Sequence, residues 1–167
     1  MKKHAILIVE DDRELSEQYT MYCNLAVSNL KNTGLELDID IVQSFTIADA
    51  MAMCDTYHVD FMSLDLALKE DESKLSDSDR KQGREAGGMT LLKSLRDNND
   101  KTNIIIVSGE SLMSYSIDAL QKYGVLGFYQ KGEMDIQQYI GAVQAALWYQ
   151  SALEMLSSLE RFESTPE

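Results

Sequence analysis

Val59-Asp60-Phe61-Met62-Ser63-Leu64-Asp65 is a short, mostly apolar run that ends in a carboxylate. A run of this length and composition reads as a buried strand of a parallel sheet, with Asp65 at its C-terminal tip. Asp60, near its start, reads as a solvated strand-start residue. In an open parallel sheet the crevice beyond the C-terminal strand ends is where ligands are held, so an acid at such a tip is a candidate for chemistry. Three further strand ends can reach the same crevice. Glu10-Asp11-Asp12 follow Ala5-Ile6-Leu7-Ile8-Val9, Ser108-Gly109 follow Ile104-Ile105-Ile106-Val107, and Lys131 follows Phe128-Tyr129-Gln130.

Between these runs the chain shows helical spacing. Asp12, Arg13 and Glu14 open a helix on which Leu15, Tyr19, Tyr22, Leu25 and Leu30 recur to about Lys31, and Asn32-Thr33-Gly34 end it. Asp12 therefore reads as a helix N-terminal charge rather than a ligand. Leu37 to Phe45 alternates apolar and polar residues, as a strand exposed on one side does, and is expected at a sheet edge. Ser44 or Thr46 can cap the next helix, whose buried face is marked by Ile47, Met51 and Cys54. Residues 66–87 are rich in charge with almost nothing to bury and read as a mobile insertion, with a short helix near Asp77 to Arg84. Gly87-Gly88 lead into a helix carrying Met89, Leu91, Leu92 and Leu95. Ser111 to Tyr123 gives another, closed by Gly124, and Val125 to Tyr129 the last strand.

From Asp135 onward, Ile136, Ile140, Val143 and Leu147 mark a final helix. Its periodicity continues through Leu153, Leu156 and Leu159 to about Phe162. An apolar stripe that outruns the core suggests either self-pairing or a partner groove, or else a helix that folds back to thicken the core. The whole pattern is five alternations of strand and helix, which implies a doubly wound α/β domain with a five-stranded parallel sheet and helices on both faces. The expected division is a core over residues 1–145, a helix extension over 146–162 and a disordered tail over 163–167.

Composition narrows the function classes. Of the 167 residues, 44% are apolar and 26% charged, which suits one globular domain rather than a disordered chain or a membrane span. A net charge of −13 opposes binding to phosphate backbones, so nucleic acid is not an expected partner. The apolar run after Lys2-Lys3 is too short for a signal peptide, and no membrane segment follows, so a cytoplasmic protein is expected. Cys23 and Cys54 have no metal-binding spacing and read as reduced thiols.

The four strand ends, each in its place along the chain, resemble the receiver domain of two-component response regulators, the family of the CheY chemotaxis regulator. The resemblance covers about residues 4 to 145 and implies the sheet order 2-1-3-4-5. It implies that Glu10 and Asp11 are the family's acid pair, Asp65 the phospho-acceptor, Ser108 the hydroxyl residue with Gly109 the small residue beside it, Lys131 the lysine after the fifth strand, and Phe128 the switch aromatic. Three carboxylates in one cleft repel each other, by about 3 kcal/mol for a pair ~5 Å apart at an effective dielectric near 20. A divalent cation relieves this, and oxygen-only ligands from Glu10, Asp11, Asp65 and the Ala67 carbonyl suit Mg2+. The implied activity is acceptance of a phosphoryl group on Asp65 from a histidine kinase or phosphotransfer protein, aided by Lys131, followed by movement of Ser108 and Phe128 and recognition by a downstream protein. The domain would be a signalling module that assists its own phosphorylation and dephosphorylation rather than an enzyme acting on a separate substrate.

Some positions depart from the family pattern. Gly132 follows Lys131 where proline is common, Lys69 replaces a proline after the acceptor, and the 66–87 segment is longer than usual. The competing class is a phosphate-independent, receiver-like module that dimerises through its final helix. A dehalogenase-type phosphatase would want an acid at Ala67, and a dinucleotide-binding turn would not place Glu10-Asp11-Asp12 against phosphate.

Overall fold

The apolar runs at 5–9, 59–64 and 104–107 become inner strands because they are buried on both faces, and the amphipathic stretches between the strands become the helices that do the burying. The computed structural model describes residues 2–68, 87–109 and 121–163. In chain order these form β1 (His4–Val9), α1 (Arg13–Asn32), β2 (Ile39–Ser44), α2 (Ile47–Thr56), β3 (His58–Leu64), α3 (Gly87–Asp97), β4 (Asn103–Ser108), β5 (Gly127–Gln130) and α4 (Ile136–Glu163). The sheet is parallel throughout, in the order β2-β1-β3-β4-β5. The expected topology is the observed one, with β2 at an edge and half-buried along most of its length.

Alternate residues of the central strands feed two apolar layers. Leu7, Val9, Met62, Leu64, Ile104 and Ile106 point to the side covered by Ala50 of α2 and Leu91 and Leu92 of α3. Ile6, Ile8, Phe61, Ile105 and Val107 point to the other side, under Cys23 and Ala26 of α1 and Tyr139 and Val143 of α4. Each fully buried Leu or Ile contributes roughly 1.5–3 kcal/mol, so the three inner strands hold the fold. Cys23 lies in this core with its thiol pushed up to about 12 by burial, and both cysteines are free.

Helix starts follow the sequence signals. Asp12 caps α1, its Oδ1 accepting from the Glu14 and Leu15 amides at 3.0 and 3.2 Å. Thr46 caps α2 by accepting from the Asp49 amide at 3.1 Å, while Ser44 donates to the Thr46 carbonyl. Three apolar positions expected on buried faces lie outside the core: Ile136 at the start of the final helix, Leu25 and Met51. Leu25 and Met51 are about half exposed, and the buried places beside them are filled by Ala26 and Ala50. A small residue lets a helix approach its neighbour closely, whereas the larger side chain next to it points outward.

The expectation for Asp60 is also corrected. It is buried, not solvated, because β3 carries a bulge at this point: Ala5 pairs with Val59 and Ile6 with Phe61, leaving Asp60 as the extra residue. Its carboxylate turns toward His4.

The 28 residues of α4 span about 42 Å at 1.5 Å per residue. Tyr139, Ile140, Val143, Ala146 and Leu147 pack on the sheet, and the helix then runs on past the core without a break. Trp148, Tyr149, Leu153, Met155 and Leu156 are exposed, so this part does not fold back into the core. Among the described residues no helix is long and apolar enough to cross a membrane. The body of the expected insertion, its short helix near Asp77, the start of the expected helix from Ser111, and residues 164–167 of the tail lie outside the described residues.

Candidate functional site

The strand ends are held side by side by backbone bonds that continue one residue past each strand. The Asp65 amide donates to the Val9 carbonyl at 2.9 Å, the Glu10 amide to the Ser44 carbonyl at 3.0 Å, and the Lys131 amide to the Ser108 carbonyl at 2.8 Å. Sheet geometry thus brings Glu10, Asp65, Ser108 and Lys131 to one cleft although they are far apart in sequence.

Lys131 Nζ reaches over both buried acids, 2.6 Å from Asp65 Oδ2 and 2.8 Å from Glu10 Oε2. The other oxygen of Asp65 is served by neutral donors: Ser108 Oγ at 2.8 Å and the Ala67 amide at 3.0 Å. Glu10 Oε1 accepts from the Asp12 amide at 3.0 Å. Glu10 and Asp65 are nearly inaccessible, at 1% and 3% exposure, so the ammonium is their main compensation. Burial raises the Glu10 carboxyl above its ordinary range, against the pull of Lys131 and of the Asp12 amide. Burial also works against the charge on Lys131, but the Asp65 charge and the bonds to Asp65 and Glu10 outweigh it and hold the ammonium above its usual value.

A cation also fits here. One oxygen each of Glu10, Asp11 and Asp65 lies within 4.8 Å of the others. Glu10 Oε2 is buried and accepts no hydrogen bond of good geometry, although Lys131 Nζ is near it, so it keeps a lone pair to offer. An all-oxygen set of this kind suits a hard dication.

Of the residues singled out in the sequence, Glu10, Asp11, Asp65, Ser108 and Lys131 come together. Ala67 adjoins them through its amide. Phe128 lies on β5 opposite Ile106, partly buried against the α2 and α3 side of the core rather than on the acids. Gly132 takes a positive φ of 84°, a conformation glycine adopts without strain.

Sequence reasoning missed one residue that shapes the cleft and one that feels its charge. Gly88 packs on the acceptor loop: a Cβ there would lie 2.5 Å from Leu66 Cα and closer still to the Asp65 carbonyl oxygen, while its amide donates to the Leu66 carbonyl at 3.2 Å. The Gly-Gly pair before a helix was the available signal. Tyr19 of α1 stacks on Tyr139 of α4, with ring centroids 5.0 Å apart. Its hydroxyl is pushed up to about 12, first by burial and then by the negative charge of Glu10, which places it within the electrostatic reach of the cleft.

No protein-family model matches the chain, and no curated protein matches it in sequence. Solved structures do. A Francisella response regulator receiver domain aligns at 20% identity with a TM-score of 0.58, covering 87% of this chain and 98% of its own. A response regulator receiver domain protein from Clostridium thermocellum gives 14% and 0.63, over 90% and 98% of the two chains. A CheY-like response regulator receiver domain protein from Methanospirillum hungatei gives 16% and 0.62, over 91% and 98%. The fold is that of a receiver domain. At such identities the likeness speaks for the receiver fold alone, and the side chains at the strand ends carry the chemical argument.

Proposed function

We propose that the chain is a phosphorelay response regulator, accepting a phosphoryl group on Asp65 from a histidine kinase or phosphotransfer protein in a Mg2+-dependent reaction and thereby switching its contacts with a downstream protein. One observation carries the reading: the buried Asp65 carboxylate is held between Lys131 at 2.6 Å and Ser108 at 2.8 Å, with Glu10 and Asp11 beside it.

Glu10, Asp11, Asp65 and the Ala67 carbonyl are the groups that would hold Mg2+. A bound dication supplies positive charge that lets an acidic cleft accept an anionic phosphoryl group. Asp65 is the nucleophile: a carboxylate oxygen forms a bond to phosphorus as the donor's bond to phosphorus breaks, and the electron pair leaves with the donor. Lys131 is already in place to offset negative charge on the transferring oxygens. The hydroxyl of Ser108, released from the acceptor carboxylate, turns to donate to a phosphoryl oxygen, and Phe128 follows into the space it leaves. Loss of the phosphoryl group to water, in the same charged cleft, returns Asp65 to its starting state and ends the signal.

The output surface we assign to the part of the 146–162 helix extension that leaves the core after Leu147, since Ala146 and Leu147 still pack on the sheet. Trp148, Tyr149 and Leu156 are each more than half exposed there, which favours either a downstream protein or a second copy of the chain as the occupant.

The test is incubation with Mg2+ and acetyl phosphate, read by intact mass, with Asp65→Asn and an EDTA-treated sample beside it. A single phosphoryl adduct absent from both controls is the expected result. No adduct, together with no Mg2+-dependent beryllofluoride response by NMR, would replace this reading with a phosphate-independent module that works by pairing through α4.

A further inference from the structure

The other end of the sheet holds a second cluster of ligating side chains that the phosphoryl-acceptor reading does not use. His4 opens β1, His58 opens β3, and the two are register partners on adjacent strands. They are the only two histidines in the chain. Their rings meet edge-on, with centroids 4.9 Å apart at 77°. The β3 bulge turns Asp60 into the same place: its carboxylate lies 2.9 Å from His4 Nδ1 and 3.7 Å from His58 Nε2.

Burial sorts the three groups into a floor and a mouth. The Asp60 side chain is 2% exposed, whereas those of His4 and His58 are 39% and 55% exposed. A buried carboxylate is costly unless its charge is met, and the side chains that face this one are the two imidazoles. Burial accordingly raises the Asp60 carboxyl above its ordinary range even though His4 pulls it down.

We propose that His4, His58 and Asp60 form a second divalent-cation site, for a borderline-soft ion of the Zn2+ class. Two imidazoles and one carboxylate are the donor set such ions select, whereas Mg2+ prefers the all-oxygen cleft at the other end of the sheet. The spacing agrees. One ligand atom from each residue lies within 4.8 Å of the other two. A tetrahedral site with bonds of ~2.0–2.1 Å needs ligand atoms ~3.3 Å apart, which falls between the 3.0 Å from Asp60 Oδ1 to His4 Nδ1 and the 3.7 Å from the same oxygen to His58 Nε2. Half-exposed imidazoles can make the remaining adjustment by rotation.

Three protein ligands leave a fourth position open. A cavity of about 160 Å3 adjoins His4 and Asp60, lined also by Gln150 and Glu154 of α4, and offers room for water or another ligand there. The negative charge of Glu154 also acts on Asp60, which further favours a cation at this place. Ligation would join the first residues of β1 and β3 beneath the stretch of α4 that leaves the core.

The 167-residue chain without an affinity tag, stripped with EDTA and exchanged into excess Mg2+, is titrated with Zn2+ against a chromophoric chelator, and separately with Co2+ for its visible spectrum. One equivalent of Zn2+, and a Co2+ spectrum of tetrahedral intensity, are expected. His58→Ala and Asp60→Asn should each weaken Zn2+ binding by more than about 100-fold, beyond the roughly 10–100-fold that loss of an outer-shell partner costs. Glu10→Gln, in the other cluster, should leave it unchanged. His58 is half exposed, so its variant should fold normally by circular dichroism. Absence of stoichiometric binding, wild-type affinity in His58→Ala, or an equal loss in Glu10→Gln would each overturn the proposal.

Discussion

Replacing Lys131 by Met removes the ammonium that compensates two buried carboxylates while keeping a side chain of similar length. That ammonium stands 2.6 Å from Asp65 and 2.8 Å from Glu10. With Asp65 and Glu10 oxygens no more than 4.8 Å apart, their unrelieved repulsion is at least about 3.5 kcal/mol at an effective dielectric near 20. The protein has a cheaper escape, which is to protonate Glu10. From the ordinary value of 4.5, that costs at most about 3.4 kcal/mol at pH 7, and less because burial already raises this carboxyl. The Lys131 side chain is 23% exposed, so its removal falls at the lower end of the roughly 3–5 kcal/mol typical for breaking a buried pair. The expected loss in EDTA is therefore about 2–3 kcal/mol at pH 7, shrinking to under ~1 kcal/mol at pH 5 as protonation becomes easy. Urea unfolding of wild type and Lys131→Met at both pH values measures it, and added Mg2+ should restore part of the deficit at pH 7. A deficit below ~0.5 kcal/mol at pH 7, or one that does not shrink at pH 5, would refute the view that Lys131 neutralises this pair.

Wild type should also lose stability at alkaline pH. The folded Lys131 value lies above 10.5, so its contribution is complete below 10.5 and is lost as pH rises through the folded value; Lys131→Met should lack that component in an alkaline unfolding series. Ser108→Ala leaves Asp65 Oδ1 with only the Ala67 amide of its two donors and should cost roughly 1.5 kcal/mol by urea unfolding, while phosphoryl uptake by intact mass persists. Gly88→Ala should cost about 1–3 kcal/mol through overpacking and should also slow phosphoryl uptake, because the atoms displaced belong to the Asp65 peptide and Leu66. Trp148→Ser should change monomer stability by less than ~0.5 kcal/mol, since the ring is mostly exposed, yet should weaken any self-association seen by sedimentation at several concentrations.

The strands were legible because a doubly buried strand needs an uninterrupted apolar run, and little else in a soluble chain produces one. The acids at the ends of two such runs, with Ser108 and Lys131 after two others, were legible for the complementary reason that a charge directly after a buried run sits at the rim of the sheet. Helix faces were read less well. Leu25 and Met51 look like core by hydropathy, but Ala26 and Ala50 occupy the buried positions, because at a close helix contact size matters more than apolar character. The Gly87-Gly88 pair marked a special position, but the chain alone does not show that its demand comes from Asp65 and Leu66, beyond a long intervening segment. Asp60 reads as solvated because rim acids usually are. Nothing local shows that β1 places a histidine beside it or that α4 runs far enough to shelter it.

The bulge at Asp60 connects the two ends of the sheet by counting. Before it, His4 pairs with His58 and Ala5 with Val59; after it, Ile6 pairs with Phe61 and Val9 with Leu64. Extending that register one step sets Asp65 opposite Glu10, which the bond from the Asp65 amide to the Val9 carbonyl also fixes. Had β3 kept its first register, with Asp60 paired to Ile6 instead of bulged, Leu64 would stand opposite Glu10 and Asp65 one place further on. Every β3 side chain from Phe61 onward would also exchange faces relative to β1, sending Phe61 toward α2 and α3 and Met62 toward α1 and α4. The two-against-one count at the start of β3 thus does two things at once. It turns Asp60 toward the histidines, and it delivers the Asp65 carboxylate to the acid pair and to Lys131.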